Sequence, residues 1–341
     1  MVPTMILMQP DSARSCLQYR IDRFAGAASK AKSQGYAGLM MPCESAFSGY
    51  EVQGSAGNGI RSETERGIGG EGDYGLYEQH WNSDIPYAAW QWWEASGNVT
   101  DLKNNMEPWL RGVAEFWTSR VETHRGHGGP VDGLYHINHV RTRPEASSCF
   151  TIGTGAAAPA ATTAAAVAAA AAAHPFLLCF KLNAMQVMPP DEYVDGVDDG
   201  ILANFGASTI LRKAVAMAKA AGREPGANWT DVAEKIYIPF DKQKQYHPEY
   251  AGFEPGKVAP KDEWNGGHGA DKVKQADAIL IGFPYDMNMS AAVRKNDLEI
   301  YENCTDGGSV AMTWGMFAVG WLDVVRQCNA FFLTVLFFYL V

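Results

Sequence analysis

Asp199 to Gly222 reads DGILANFGASTILRKAVAMAKAAG, and this stretch decides the fold class. Asp199 stands at its start, apolar side chains recur through it, and Gly222 supplies the stop of a helix C-terminus. Working outward, the other clear patterns are helical too. Asp11 or Ser12 caps a segment whose apolar positions Leu17, Ile21, Phe24, Ala28 and Ala31 fall three and four apart, closed by Gly35. Ser83 or Asp84 precedes Pro86 and opens PYAAWQWWEAS, which Gly97 ends. Trp109, Val113, Trp117 and Val121 repeat at every fourth position, Asn228 caps a shorter helix through Ile236, and Val310 to Val325 is a further apolar candidate. ADAILIGF, Ala276 to Phe283, reads equally well as a strand. No series of alternating strands separates the helices, so the expected class is all-α.

The 341 residues are 47% hydrophobic and 19% charged, enough to bury a core in one large domain or two ordinary ones. That composition excludes a wholly disordered chain, and 35 Gly is far from collagen. With 28 basic and 38 acidic residues the formal net charge is -10. No Lys/Arg block is present, so neither nucleic acid nor an anionic membrane is expected as a partner. Cys16, Cys43, Cys149, Cys179, Cys304 and Cys328 are scattered without a C-x-x-C pair and read as free thiols or core fillers. Met1 to Pro10 is apolar but lacks a basic flank, so no secretory signal is expected; the compartment stays open, with the cytoplasm favoured. Ala156 to Phe180 is nearly all Ala and reads as a low-complexity linker, and Ala330 to Val341 is short of the roughly 20 residues of a spanning helix. The expected organisation is a first helical part at 1–140, a disordered Ala-rich insertion at 141–186, a second part at 187–326 and an apolar tail at 327–341. Two loops, Gln53 to Gly75 and Asp241 to Ala270, are long and rich in Gly, Pro and aromatic residues, as functional loops often are.

Two acidic motifs lie in Pro/Gly/aromatic surroundings: MPCESAFSGYE (Met41 to Glu51) and MPPDEYVDGVDDG (Met188 to Gly200). Glycosidic hydrolysis needs two carboxyl groups flanking the bond and aromatic surfaces to hold the sugar. Two prolines stiffen the approach to Asp191-Glu192-Tyr193, and a rigid, partly apolar mount suits a general acid. From spacing alone the plainer reading is an acidic turn complementing a helix dipole. His124-x-x-His127 and His136-x-x-His139 have a spacing that a helix could turn to metal ligation, but no Cys or carboxylate completes either pair, so no metal is expected. GIGGEGDYG (Gly67 to Gly75) lacks the ending of a phosphate loop and reads as flexible loop. The Trp90, Trp92 and Trp93 cluster reads as packing.

LQYRIDRFAGAASKAKSQGYAGLMMPCESAFSGYEV resembles the opening of the catalytic domain of glycoside hydrolase family 65. SDIPYAAWQWWEASGN, EPWLRGVAEFWTSRVE with GLYHINHV, PPDEYVDGVDDGILANF, and VKQADAILIGFPYDM with NDLEIYENCTDGGSVAMTWGMFAVGWLD continue the resemblance in order. The flavour is that of the eukaryotic glucosidase branch. The resemblance implies an incomplete (α/α)6 toroid of helical hairpins, with inverting cleavage of an α-linked glucosyl disaccharide unit in its central funnel. Glu192 matches the general acid. Lys274 and Gln275 match the pair that binds glucosyl hydroxyls, Glu44 matches the loop lining that subsite, and Asn204 matches more weakly. The expected partner is a small saccharide, trehalose-like or glucosyl-galactosyl, and no cofactor is implied.

The departures matter equally. Position 43 is Cys where the family motif carries Trp, which removes a stacking plane. The family's general base lies beyond AMTWGMFAVGWLD, where this sequence runs into CNAFFLTVLFFYLV. The expectation is therefore a partial gene product with weak or absent hydrolysis. The alternatives are a disaccharide phosphorylase of the same family and a carbohydrate-binding fragment without activity.

Overall fold

The computed structural model describes residues 2–52, 78–126, 129–138, 188–194, 196–255, 272–308 and 310–339. The Ala-rich stretch, Cys149, Cys179, the loop from Gln53 to Gly75, and His127 and His139 lie outside the described residues. Among the described residues the main helices, in chain order, are α1 (Val2–Met8), α2 (Pro10–Ile21), α3 (Phe24–Ser33), α4 (Trp81–Ser96), α5 (Glu107–Arg120), α6 (Ile201–Ala220), α7 (Trp229–Lys235), α8 (Ala291–Cys304) and α9 (Met312–Tyr339), with short helical turns at Val99–Asp101 and Leu102–Met106 leading into α5. A two-stranded antiparallel hairpin, β1 (Glu122–His124) and β2 (Val131–His136), sits between α5 and α6, with Glu122 opposite His136. The molecule is helix-rich with few strands. No described helix is long and apolar enough to cross a membrane.

The core lies where α5 meets α6, the most extensive helix contact in the described structure. Trp109, Val113 and Trp117 are each 0% exposed, as are Ile201, Ile210 and Leu211 across the interface. The four-residue spacing read in the sequence is the stripe that α5 turns inward. Helix α5 continues directly from a π-helical turn, Leu102–Met106, so Pro108 follows a widened turn rather than a free helix start. Val121 already has extended backbone, so the helix ends one residue short of the expected repeat.

Elsewhere the structure corrects the expectations. The helix expected from Asp11 to Gly35 is two helices, broken at Asp22 and Arg23. At the break Arg20 and Arg23 turn toward the following loop, donating to the carbonyls of Pro42 at 3.2 Å and Phe47 at 3.0 Å. Helix α4 starts at Trp81, so Ser83 and Asp84 lie inside it and cap nothing. Its end is as expected: Gly97 takes the left-handed conformation (φ 60°) and its N–H bonds Trp93 O at 2.9 Å. Helix α6 begins after Gly200, and Asp199, in a left-handed conformation, stands just ahead of it.

ADAILIGF is neither strand nor long helix. Ala278–Ile281 forms one 3-10 turn with Ala278, Ile279 and Ile281 all buried, a run without alternation. The hairpin was not expected because its second strand is exposed over its first half and buried only toward its end, so burial does not alternate along it. His124 and His136 therefore lie on strands, and the helical premise of a metal-ligating pair is lost. Trp90 and Trp93 meet edge to face at 5.1 Å and the Lys213 ammonium sits 4.1 Å from the Trp90 ring, so this cluster is spent on packing.

Candidate active site

Three loops converge beside the N-terminus of α6. The first is the turn Pro190 to Val194, closed by a Val194 N–H to Asp191 O bond at 3.3 Å. The second carries Lys274 and Gln275. It is held by backbone bonds from Val273 N–H to Cys304 O and from Asp306 N–H to Val273 O, both 2.8 Å, so it lies along the third, Cys304 to Asp306. Tyr193 closes the group, its hydroxyl donating to Asp306 Oδ2 at 3.0 Å.

Within this frame the Lys274 ammonium forms an ion pair with Glu192, and the Gln275 side chain donates to Pro190 O. The Glu192 side chain is 33% exposed and that of Lys274 is 23% exposed, so both line an open edge rather than the core. Residues far apart in sequence thus meet as one acid, one cation and one amide. Asp191 points the other way. It is 1% exposed, and its Oδ1 accepts the Lys274 N–H at 2.7 Å and the Tyr193 N–H at 3.2 Å.

Behind Asp191 lies a buried acidic group that the sequence pattern did not single out. Glu249 is 0% exposed and Asp277 is 1% exposed, and their carboxyl groups face each other. None of their four oxygens meets a donor among the described residues, which is what a pair of carboxyls sharing a proton would show. Burial pushes Asp277 up to about 8, against the pull of His80, and Asp191 up to about 7, against the two N–H donors it accepts. Burial also raises Glu249 well above its ordinary value, with Asp191 and Asp277 adding to it. Burial alone would lower His80, but Asp84, bonded at 2.6 Å, and Glu78 outweigh it and hold the imidazolium up to about 10. Asp84 in turn accepts the Tyr285 hydroxyl. Glu78, His80 and Asp84 share one segment, with His80 and Asp84 four positions apart, but no local spacing links them to Asp191, Glu249 or Asp277.

The other two sequence candidates fall elsewhere. Glu44 is exposed, on a loop shaped by its neighbour Glu51. Glu51 accepts the backbone N–H of Cys43 at 2.8 Å and of Glu44 at 3.0 Å, and pairs with the buried Lys30 ammonium at 2.7 Å. Burial lowers Lys30, with Glu51 opposing it, and burial pushes the Cys43 thiol up to about 12, far from a reactive thiolate. Asn204 is fully buried and donates to Asp199 Oδ1 at 2.9 Å and Tyr237 O at 2.7 Å. Its amide fastens the first turn of α6 rather than meeting Glu192. Asp199 also meets His136 at 2.8 Å, so β2 is anchored to the same point.

Residues 1–145 match the glycosyl hydrolase family 65 central catalytic domain. A protein-glucosylgalactosylhydroxylysine glucosidase of Danio rerio is 31% identical over 325 residues, covering 95% of this chain and 37% of the relative. A kojibiose hydrolase of Flavobacterium johnsoniae is 26% identical over 320 residues, covering 94% of this chain and 35% of the relative. A solved structure provisionally named kojibiose phosphorylase, from human microbiome, matches with a TM-score of 0.63 at 14% identity over 96% of this chain and 38% of its own. At that identity the likeness concerns the fold alone. The chain spans little more than a third of the length of the curated relatives it matches. The domain match thus assigns residues 1–145 to the glycosyl hydrolase family 65 central catalytic domain, and the relatives extend the similarity over nearly the whole chain.

Proposed function

We propose that this chain acts on an α-linked glucosyl disaccharide unit, trehalose-like, kojibiose-like or glucosyl-galactosyl, with Glu192 as the general acid of an inverting reaction. In this reading the helices belong to a ring of helical hairpins and the sugar enters beside the Pro190 to Val194 turn. The observation that carries it is the meeting of Glu192 with Lys274, on a loop whose next residue, Gln275, grips the same turn. Sugar hydroxyls compete with Glu192 for the Lys274 ammonium. Once Lys274 and Gln275 turn to the hydroxyls, the Glu192 carboxylate, released from the cation, takes a proton from solvent and can pass it to the leaving oxygen.

The test is glucose release from kojibiose, trehalose and glucosyl-galactose, with and without phosphate. Turnover that Glu192→Gln lowers by about 10²–10⁴ supports the acid assignment, and turnover untouched by that change overturns it. Glucose 1-phosphate formed only with phosphate marks the phosphorylase alternative. An inverting hydrolase also needs a base carboxylate about 6.5–9.5 Å from the acid, and the same assay reports whether this chain has one. A second reading, sugar binding without turnover, is favoured by Cys43, which offers no stacking plane. Calorimetric titration with glucose separates it from the first.

A further inference from the structure

Asp191 adjoins Glu192, is buried, and is engaged with the opposite loop. Its Oδ1 accepts the Lys274 N–H at 2.7 Å and the Tyr193 N–H at 3.2 Å. One carboxylate oxygen therefore holds the residue after Glu192 and the backbone of the residue whose side chain meets Glu192. The neighbour on the other side repeats the tie in reverse, since Pro190 O accepts from the Gln275 side chain. Glu192 itself contributes no backbone bond to this arrangement among the described residues. Its place relative to Lys274 is set by what Pro190, Asp191 and Tyr193 hold.

We propose that Asp191 is a positioning residue that locks the turn bearing Glu192 onto the loop bearing Lys274 and Gln275. The inference rests on the acid role proposed for Glu192, but its structural half stands without it. What the geometry uses is an oxygen acceptor with two lone pairs, so Asn should serve and Ala should not. Without that oxygen the half-buried Lys274 N–H loses its protein partner, and the two loops drift apart. A misplacement of about an ångström is enough to cost on the order of 10²-fold in rate.

The experiment compares the full chain with Asp191→Asn and Asp191→Ala, using amide hydrogen exchange at Lys274 and the kinetics of glucose release. Expected for Asp191→Ala is exchange at Lys274 faster by about tenfold or more, with kcat down about 10²-fold and KM little changed. Asp191→Asn should keep both the slow exchange and most of kcat, which a role through charge or bulk folding would not produce. Exchange at Lys274 that is the same in all three proteins overturns the proposal, as does Asp191→Asn behaving like Asp191→Ala. If Asp191→Ala does not fold, the Asn variant still decides, since loss of slow exchange there is an overturning result. If the parent chain releases no glucose, the acid role fails while the exchange comparison still decides whether the lock exists.

Discussion

Lys30 and Glu51 show how one buried pair shapes a loop from beneath. Their side chains are 7% and 8% exposed, and the same glutamate holds the backbone of Cys43 and Glu44. Removing one charge leaves the other desolvated and uncompensated, which costs about 3–5 kcal/mol, whereas removing both together costs far less. Glu51→Gln should therefore lower stability by about that amount, and adding Lys30→Met should restore most of it, as read by urea unfolding. In the sequence Glu44 and Glu51 looked like equals within one motif. Burial separates them, because Glu51 meets a lysine on α3 and Glu44 meets solvent. That lysine is 21 positions away, and no local pattern reports the meeting.

At the scale of an element, Gly26 decides how α3 lies. A Cβ there would stand 2.2 Å from Gly49 O, a backbone atom that cannot swing aside. Ala favours a helix over Gly by about 1 kcal/mol, but overpacking against backbone costs about 1–3 kcal/mol, and at this separation the steric cost wins. Gly26→Ala should lower the denaturation midpoint, with far-UV circular dichroism of the native state unchanged. Helix α5 was legible because its buried stripe, Trp109, Val113 and Trp117, recurs at every fourth position. The break between α2 and α3 was not, because apolar spacing continues across Asp22 and Arg23 while arginine side chains redirect the backbone. The hairpin escaped notice because burial is confined to one end of β2, where His136 meets Asp199, and does not alternate along the strand.

Across the whole molecule, the buried acids make stability depend on pH in an unusual direction. Asp191, Asp277 and His80 are held up to about 7, about 8 and about 10, so each binds its proton more tightly folded than unfolded. The stability they contribute is fully present below their ordinary values, about 4 for aspartate and about 6.5 for histidine. It is lost as pH rises through the folded values. Asp101, lowered by its bonds to Arg14, Asn105 and Trp92 despite the opposing effect of burial, acts in the opposite sense but at acid pH. The urea midpoint should fall from about pH 5.5 to about pH 8.5, and Asp277→Asn should flatten that slope. A midpoint that rises over the interval would contradict the buried group as described. Of this cluster only Asp191 was visible in the sequence, within its acidic motif, since Glu249, Asp277 and His80 share no motif with it. Glu192 stood out within its proline-stiffened acidic motif, but its pairing with Lys274 entered only through resemblance to a family, periodicity being silent on a pair so distant. Their separation, 82 positions, carries a consequence for synthesis. Closing so long a loop is an entropic cost that only later packing can offset. A nascent chain that has not yet emerged past Asp306 therefore carries its Glu192-bearing turn with no finished counterpart to receive it, and the sugar recognition proposed for this chain must await the ribosome.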